Sequence, residues 1–170
     1  RTGYYLAKFM NTVADFLKPL EEQDSRHYNP MLRKAEVWLN FAEASNEAFG
    51  PKVVGPGCTK SAYDVIKIIR EKGGITDVTY LDEMAASKET FRTLIQNERR
   101  IEFAFENQRF WDLRRWLLPL NEPIYGMRVT RDGSGDDVFE VVKVEDRPLN
   151  DVRYYYMPLP YLEVQKNPNL

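Results

Sequence analysis

Cysteine and histidine occur once each, at Cys58 and His27, and each scarcity excludes chemistry. A single cysteine can close no internal disulfide and can supply no thiolate metal cluster. A single histidine, set in the polar stretch 21–28, leaves imidazole catalysis with one candidate. No apolar run approaches the ~20 residues that a bilayer-spanning helix needs. Charge of one sign is also lacking: 24 basic against 26 acidic side chains leave a net charge of −2. Nucleic-acid binding needs a clustered basic surface, and Arg99-Arg100 and Arg114-Arg115 are too short and too interleaved with acids to form one. Cys58 follows Val-Val-Gly-Pro-Gly without a basic and then apolar lead-in, so it is neither a signal peptide nor a lipid-attachment site. Nucleophile elbow, Walker loop, dinucleotide fingerprint and zinc-helix motifs are missing too. Gly133 and Gly135 lack the lysine and following helix that phosphate binding requires. Beginning at Arg1 rather than at methionine, the chain reads as a processed or trimmed piece.

What remains is ordinary globular composition, 43% hydrophobic and 29% charged, enough for one domain with a core. Its most informative stretch is residues 87–116. At ~100° per residue, Phe91, Leu94, Ile95, Ile101 and Phe105 share one helical face. Glu98 and Glu102 land in the middle of that face. Ser87 is the expected N-cap, Asn107 relaxes the end, and a second short helix is expected over residues 109–117. A carboxylate among apolar side chains is costly unless paired and hydrogen-bonded. Arginines at 99, 100, 109, 114 and 115 are at hand. Two readings follow. Glu98 and Glu102 could be an acid/base pair with separated pKa values. The favoured reading is a structural ion-pair network of Glu98, Arg99, Glu102, Arg109, Asp112 and Arg115, in which arginine's planar fork suits bidentate contact.

Elsewhere the pattern is mainly helical. A helix is expected over residues 11–17, ended by Pro19. Asn29-Pro30 reads as a cap followed by proline at the first helical position. Met31, Ala35, Trp38, Leu39, Ala42 and Asn46 then share a face, and Gly50-Pro51 stops the helix. Trp38 in this stripe reads as core rather than ligand platform. Residues 52–60 form a surface loop. Ser61-Ala62-Tyr63-Asp64 resembles a capping box and opens a helix that Gly73-Gly74 ends. Residues 81–86 read as a short link. These helices make two antiparallel-looking pairs, but their starts lack the ~34-residue period of a tetratricopeptide array. Residues 124–131 and 138–144 are β-rich runs around Asp-Gly-Ser-Gly-Asp-Asp, a hairpin. Asp132, Ser134 and Asp136 have the spacing of a calcium loop's first ligands, but the expected glycine and closing glutamate are missing, so the turn reading is preferred. An irregular, proline-punctuated tail follows from Pro158.

Several of these residues carry a family resemblance. Glu98-Arg99-Arg100-Ile101-Glu102-Phe103-Ala104-Phe105-Glu106, then Arg109-Phe110-Trp111-Asp112-Leu113-Arg114-Arg115-Trp116, resembles the signature helix of the SusD/RagB family. Met157-Pro158-Leu159-Pro160, Glu163 and Asn167-Pro168-Asn169-Leu170 are similar to its C-terminal segment. The stretch 32–44 resembles its preceding helix, and Thr2-Gly3-Tyr4-Tyr5 with Lys8 resembles an extended family element. Asn107 departs from the family's usual glycine. The resemblance implies a TPR-like α/α scaffold with a small β-hairpin. It implies that residues 1–170 are the C-terminal portion, about a third, of a single SusD/RagB-like domain whose N-terminal portion is absent from this chain.

It also implies a surface-exposed outer-membrane lipoprotein of Bacteroidetes type. Such a protein binds a glycan without catalysis, or in some members a peptide, and delivers it to a SusC-like, TonB-dependent transporter. No cofactor or metal is expected. No family binding residue matches a position here; Trp111, Tyr125 and Tyr161, outside the core stripes, are the candidate ligand contacts. The rivals are a helical protein–protein scaffold and a carboxylate-pair glycoside hydrolase. Apolar faces that would pack against the N-terminal portion would leave the fragment poorly soluble by itself.

Overall fold

In a computed structural model the chain is described at residues 2, 4, 8, 9, 30–167 and 169. The helix expected over residues 11–17 lies outside the described residues, as does Asn29. Two compact units form, one from Asn11–Arg109 and the other from Arg1–Met10 with Phe110–Leu170. The architecture is mainly α with one two-stranded antiparallel hairpin. No helix among the described residues is long and apolar enough to cross a membrane.

The first unit is built from α1 (Lys34–Phe49), α2 (Ala62–Lys72), α3 (Thr79–Met84) and α4 (Lys88–Glu102). Leu39 and Ala42 of α1, Ala62, Val65 and Ile66 of α2, Leu81 of α3 and Phe91, Leu94 and Ile95 of α4 make one buried cluster. Each large side chain in it contributes about 1.5–3 kcal/mol through removal from water. Helix α1 runs antiparallel to α2, since the Tyr63 N–H donates to Pro51 O at 2.8 Å while Lys72 lies over Trp38 near the start of α1. It also runs antiparallel to α4. Arg33 meets Glu102 at one end, and Glu47 meets Arg92 at the other.

Local signals set most boundaries. Ser61 and Asp64 form the expected capping box, and Ser87 forms one with Thr90. Gly50 closes α1 at φ +89°, a left-handed conformation that favours glycine, and its N–H reaches Asn46 O. Residues 81–86, expected as a link, are largely inside α3 instead. Asp77 accepts from Thr79 N–H at 2.9 Å and its hydroxyl at 2.7 Å, so an acid two residues ahead starts the turn.

Two expectations about exposed apolar residues are corrected. The Asn29-Pro30 start is not used: α1 begins at Lys34, with Arg33 extended at φ −126° as N-cap, and Met31 is exposed rather than on the buried face. Arg33 is held by the end of α4, and that tertiary contact overrides the local cap signal. Helix α4 stops at Glu102, and Phe105 and Asn107 both take φ +63°. The break turns Phe103 into the core and leaves Phe105 exposed, and Ile101, within α4, is exposed as well.

In the second unit α5 (Gln108–Arg115) follows, then β1 (Ile124–Arg131) and β2 (Asp137–Glu145). Register pairs Tyr125 with Lys143, Met127 with Val141 and Val129 with Phe139, gathering apolar side chains on one face of the ribbon. Asp132 Oδ1 accepts from Ser134 N–H at 2.8 Å and Asp136 N–H at 3.0 Å, which makes this loop a turn that uses its own acid. Thr2 O accepts from Met127 N–H at 2.7 Å; a Cβ on Gly126 would lie 2.5 Å from that oxygen, so the approach requires glycine. The tail is less irregular than its prolines imply. Val152–Tyr155 is a 3-10 turn capped by Asp151, and Tyr161–Lys166 forms α6 directly after Pro160.

The Asp64 cap yields a pH-dependent expectation. Its carboxylate accepts from the Ser61 N–H and hydroxyl, and these bonds hold its pKa below the usual range against partial burial. A carboxyl whose pKa is depressed by folding stabilises the protein above its unfolded pKa, about 3.9. That contribution is lost as pH falls through the folded value. Asp64→Asn is therefore expected to lower the melting temperature at pH 7, with the gap to wild type closing in acid. Thermal scans from pH 7 to pH 2 check this; a gap independent of pH contradicts it.

Candidate functional site

The three aromatics proposed as ligand contacts all fall in the second unit and all are exposed. Trp111, on α5, packs edge-on against Phe110 with centroids 5.0 Å apart. Tyr125 stands on β1, and the Tyr161 hydroxyl at the start of α6 accepts from Gln165 Nε2 at 2.8 Å. No ring contact joins these three among the described residues. They offer separate apolar faces.

A cleft lies in the first unit, where the sequence placed only core. Lys34, Ala35 and Trp38 of α1, Ile69 and Lys72 of α2 with Gly73 just after it, and Glu102 of α4 line a cavity of about 280 Å³. Trp38 is half-buried. Trp38 packs against the core, as the helical stripe implied, and also lines the cleft. Over the ring stand two ammonium groups, Lys34 Nζ at 4.8 Å and Lys72 Nζ at 5.4 Å from the centroid. The spacing of Lys34 and Trp38 one helical turn apart is visible in the sequence; Lys72 arrives from another helix, and nothing local announces it. A second recess of about 150 Å³, lined by Arg33, Glu36, Phe105 and Glu106 among others, is occupied at its wall by an ion pair.

The acids of α4 are held by arginines from other elements, Arg70 on α2 and Arg33 ahead of α1. Glu98, buried, receives Arg70 Nη1 at 2.6 Å, both side chains being only about a tenth exposed. Glu102 receives Arg33 Nη1 at 2.8 Å. The same guanidinium donates to Glu102 O at 2.9 Å and to both Glu106 oxygens, at 2.9 and 2.7 Å. One planar fork thus satisfies a helix-terminal carbonyl and two carboxylates. Desolvation opposes the charge on Arg33, and the hydrogen bonds from Glu106 and Glu102 outweigh it, so its pKa is raised. Arg99, buried, donates to Asn40 Oδ1 at 2.6 Å and stacks over Phe103. Asp112, also buried, accepts from Arg115 Nε at 2.8 Å within α5, while Arg109 stands near the start of that helix. At the far end of α1, Arg92 grips Glu47 through two 2.6 Å bonds, which lower the Glu47 pKa.

Arg33 and Arg70, absent from the sequence-based network, therefore hold its two central acids. Both arginines are far from α4 in sequence, Arg33 just ahead of α1 and Arg70 near the end of α2, so no local pattern announces them. Among the described residues no group of His, Cys, Asp and Glu could hold a metal ion. Breaking the Arg70–Glu98 pair strands a buried charge, so Arg70→Ala is expected to cost on the order of 3–5 kcal/mol. Arg100→Ala, at an exposed position of the same helix, should cost within about 0.5 kcal/mol. Chemical denaturation of both variants checks this, and equal midpoints would remove the pair from the architecture.

Comparison with known proteins adds a family to this geometry. The sequence model of the SusD family matches residues 1–170. SusD-like protein P25 of Formosa agariphila is 29% identical over 171 residues, covering 98% of this chain and 27% of that protein. SusD-like protein P2 of the same organism is 32% identical over 153 residues, covering 87% of this chain and 25% of its own length. The chain thus spans about a quarter of the length of these curated relatives. No solved structure gives a significant match. With a match along its whole length, and with the acid- and arginine-rich helix that prompted the resemblance, this chain belongs to the SusD/RagB family.

Proposed function

We propose that the chain is part of a non-catalytic, surface-exposed outer-membrane lipoprotein that binds oligo- or polysaccharides and hands them to a SusC-like, TonB-dependent transporter. The observation that carries this reading is the family match over residues 1–170. The chemistry on the page is compatible with it. Sugars are captured by aromatic faces and by polar groups in shallow, wet sites. Trp38 lines a cleft, and Trp111, Tyr125 and Tyr161 stand exposed. The remainder of the protein would cover apolar positions of the first unit such as Val37 and Ile101.

The hydrolase reading is weaker for a physical reason. A glycosidase needs one carboxyl free to protonate and another free to attack or to activate water. Glu98 and Glu102 are each in contact with a guanidinium from a neighbouring helix. The scaffold reading rests on the same exposed apolar positions but lacks a partner of defined chemistry. Calorimetry of the intact protein against a panel of oligosaccharides, with chromatography of the sugars afterwards, separates the three. Saturable binding with the sugars recovered whole is expected. Shortened products would establish hydrolysis, and silence toward every sugar with retained protein binding would favour the scaffold.

A further inference from the structure

The cleft between α1 and α2 differs from the exposed aromatics in carrying charge. Lys34 and Lys72 have no carboxylate within ion-pair distance among the described residues; their recorded contacts are with the Trp38 ring. Several other cations of the unit are matched: Arg33 with Glu102 and Glu106, Lys52 with Asp82, Arg70 with Glu98, Arg92 with Glu47. One acid, Glu102, lines the cleft, and Arg33 already neutralises it at 2.8 Å. The cleft therefore keeps an excess of positive charge in a protein whose net charge is −2.

Its shape limits what could enter. At about 280 Å³ the cavity lies near the small end of ligand sites, with room for roughly one ring. Ala35, Ile69 and the indole supply apolar lining, and the two ammonium groups stand over the indole ring. A cation held only by an aromatic face is held more weakly than one in a charge-assisted hydrogen bond. Both lysines can therefore exchange the ring for an arriving anion without breaking an ion pair.

We propose that this cleft is a subsite for an acidic sugar residue, a pyranose bearing a carboxylate or sulfate that Lys34 and Lys72 clasp while Trp38 and Ile69 meet its apolar face. The inference rests on the glycan-binding reading and deepens it by naming the ligand's charge. Lys34 and Lys72 are both exposed, so replacing them with glutamine removes charge at little cost to the core.

The test is affinity electrophoresis of the intact protein through gels containing polygalacturonate, its methyl ester, dextran sulfate or dextran. Wild type should bind at least one acidic polymer about tenfold more tightly than its uncharged counterpart, a preference that shrinks with added salt. K34Q/K72Q should abolish that preference while keeping a cooperative melt within a few degrees of wild type, about what two exposed cation–π contacts contribute, and K60Q, at an exposed loop position, should keep it. Equal retardation by charged and uncharged polymers overturns the acidic subsite and leaves glycan binding standing. A preference that survives K34Q/K72Q, or that K60Q reduces as much, also overturns it. Failure to bind any of the four while neutral oligosaccharides bind in calorimetry sinks this inference alone; failure in both sinks the parent reading as well.

Discussion

The first unit depends on one constraint: α4 places charges inside a packed helical layer, and each must find its counterpart on another helix. Glu98 finds Arg70 on α2, Glu102 and its neighbour Glu106 find Arg33 ahead of α1, and Arg99 finds Asn40 on α1. An uncompensated buried charge costs several kcal/mol, so arrangements of the helices that separate Glu98 from Arg70 are disfavoured. The strengths of these ion pairs differ with exposure. Arg92 and Glu47 are each about 40% exposed, so solvent and salt reduce their bond to a modest term despite its bidentate geometry. Arg70 and Glu98 sit where water does not screen them.

That constraint also bears on function. An acid held by a guanidinium is a poor general acid, and a residue fixed at a helix crossing is a poor ligand contact. The groups that take no part in these ion pairs include the lysines and indole lining the α1–α2 cleft and the exposed rings of the second unit. In that unit the hairpin shows a related division. Asp132 is used by its own turn, while the apolar face of the ribbon, with Phe139 and Val141 on β2, stays exposed.

Local chemistry was legible where a few neighbouring residues suffice. The Ser61 and Ser87 caps, the Gly50 stop, the apolar stripe of α4 through Ile95 and the span of β1 all follow from side chains within a turn or two of one another. Where the reading failed, a distant group had intervened. Pro30 does not start α1 because Arg33 is tied to α4, seventy residues on in sequence as measured by the Arg33–Glu102 separation of 69. Phe105 misses the core because the backbone breaks after Glu102 and sends Phe103 inward, while Ile101, still within α4, lies on its exposed side. Asp77, which bonds Thr79 just ahead of α3, was in plain view, but the helix after it is too short for periodicity to register.

By itself the sequence determined the mainly helical class, the hairpin, the family and the fact that acids within an apolar stripe would need arginines. Those properties depend on residue type and spacing, which a linear chain already contains. Tertiary structure alone decided which arginines answer which acids, and that Trp38 faces a cleft between two lysines as well as the core. Charge pairing and cavity walls are set by distance through space, and Lys34 and Lys72 become neighbours only once α1 and α2 lie side by side in opposite directions.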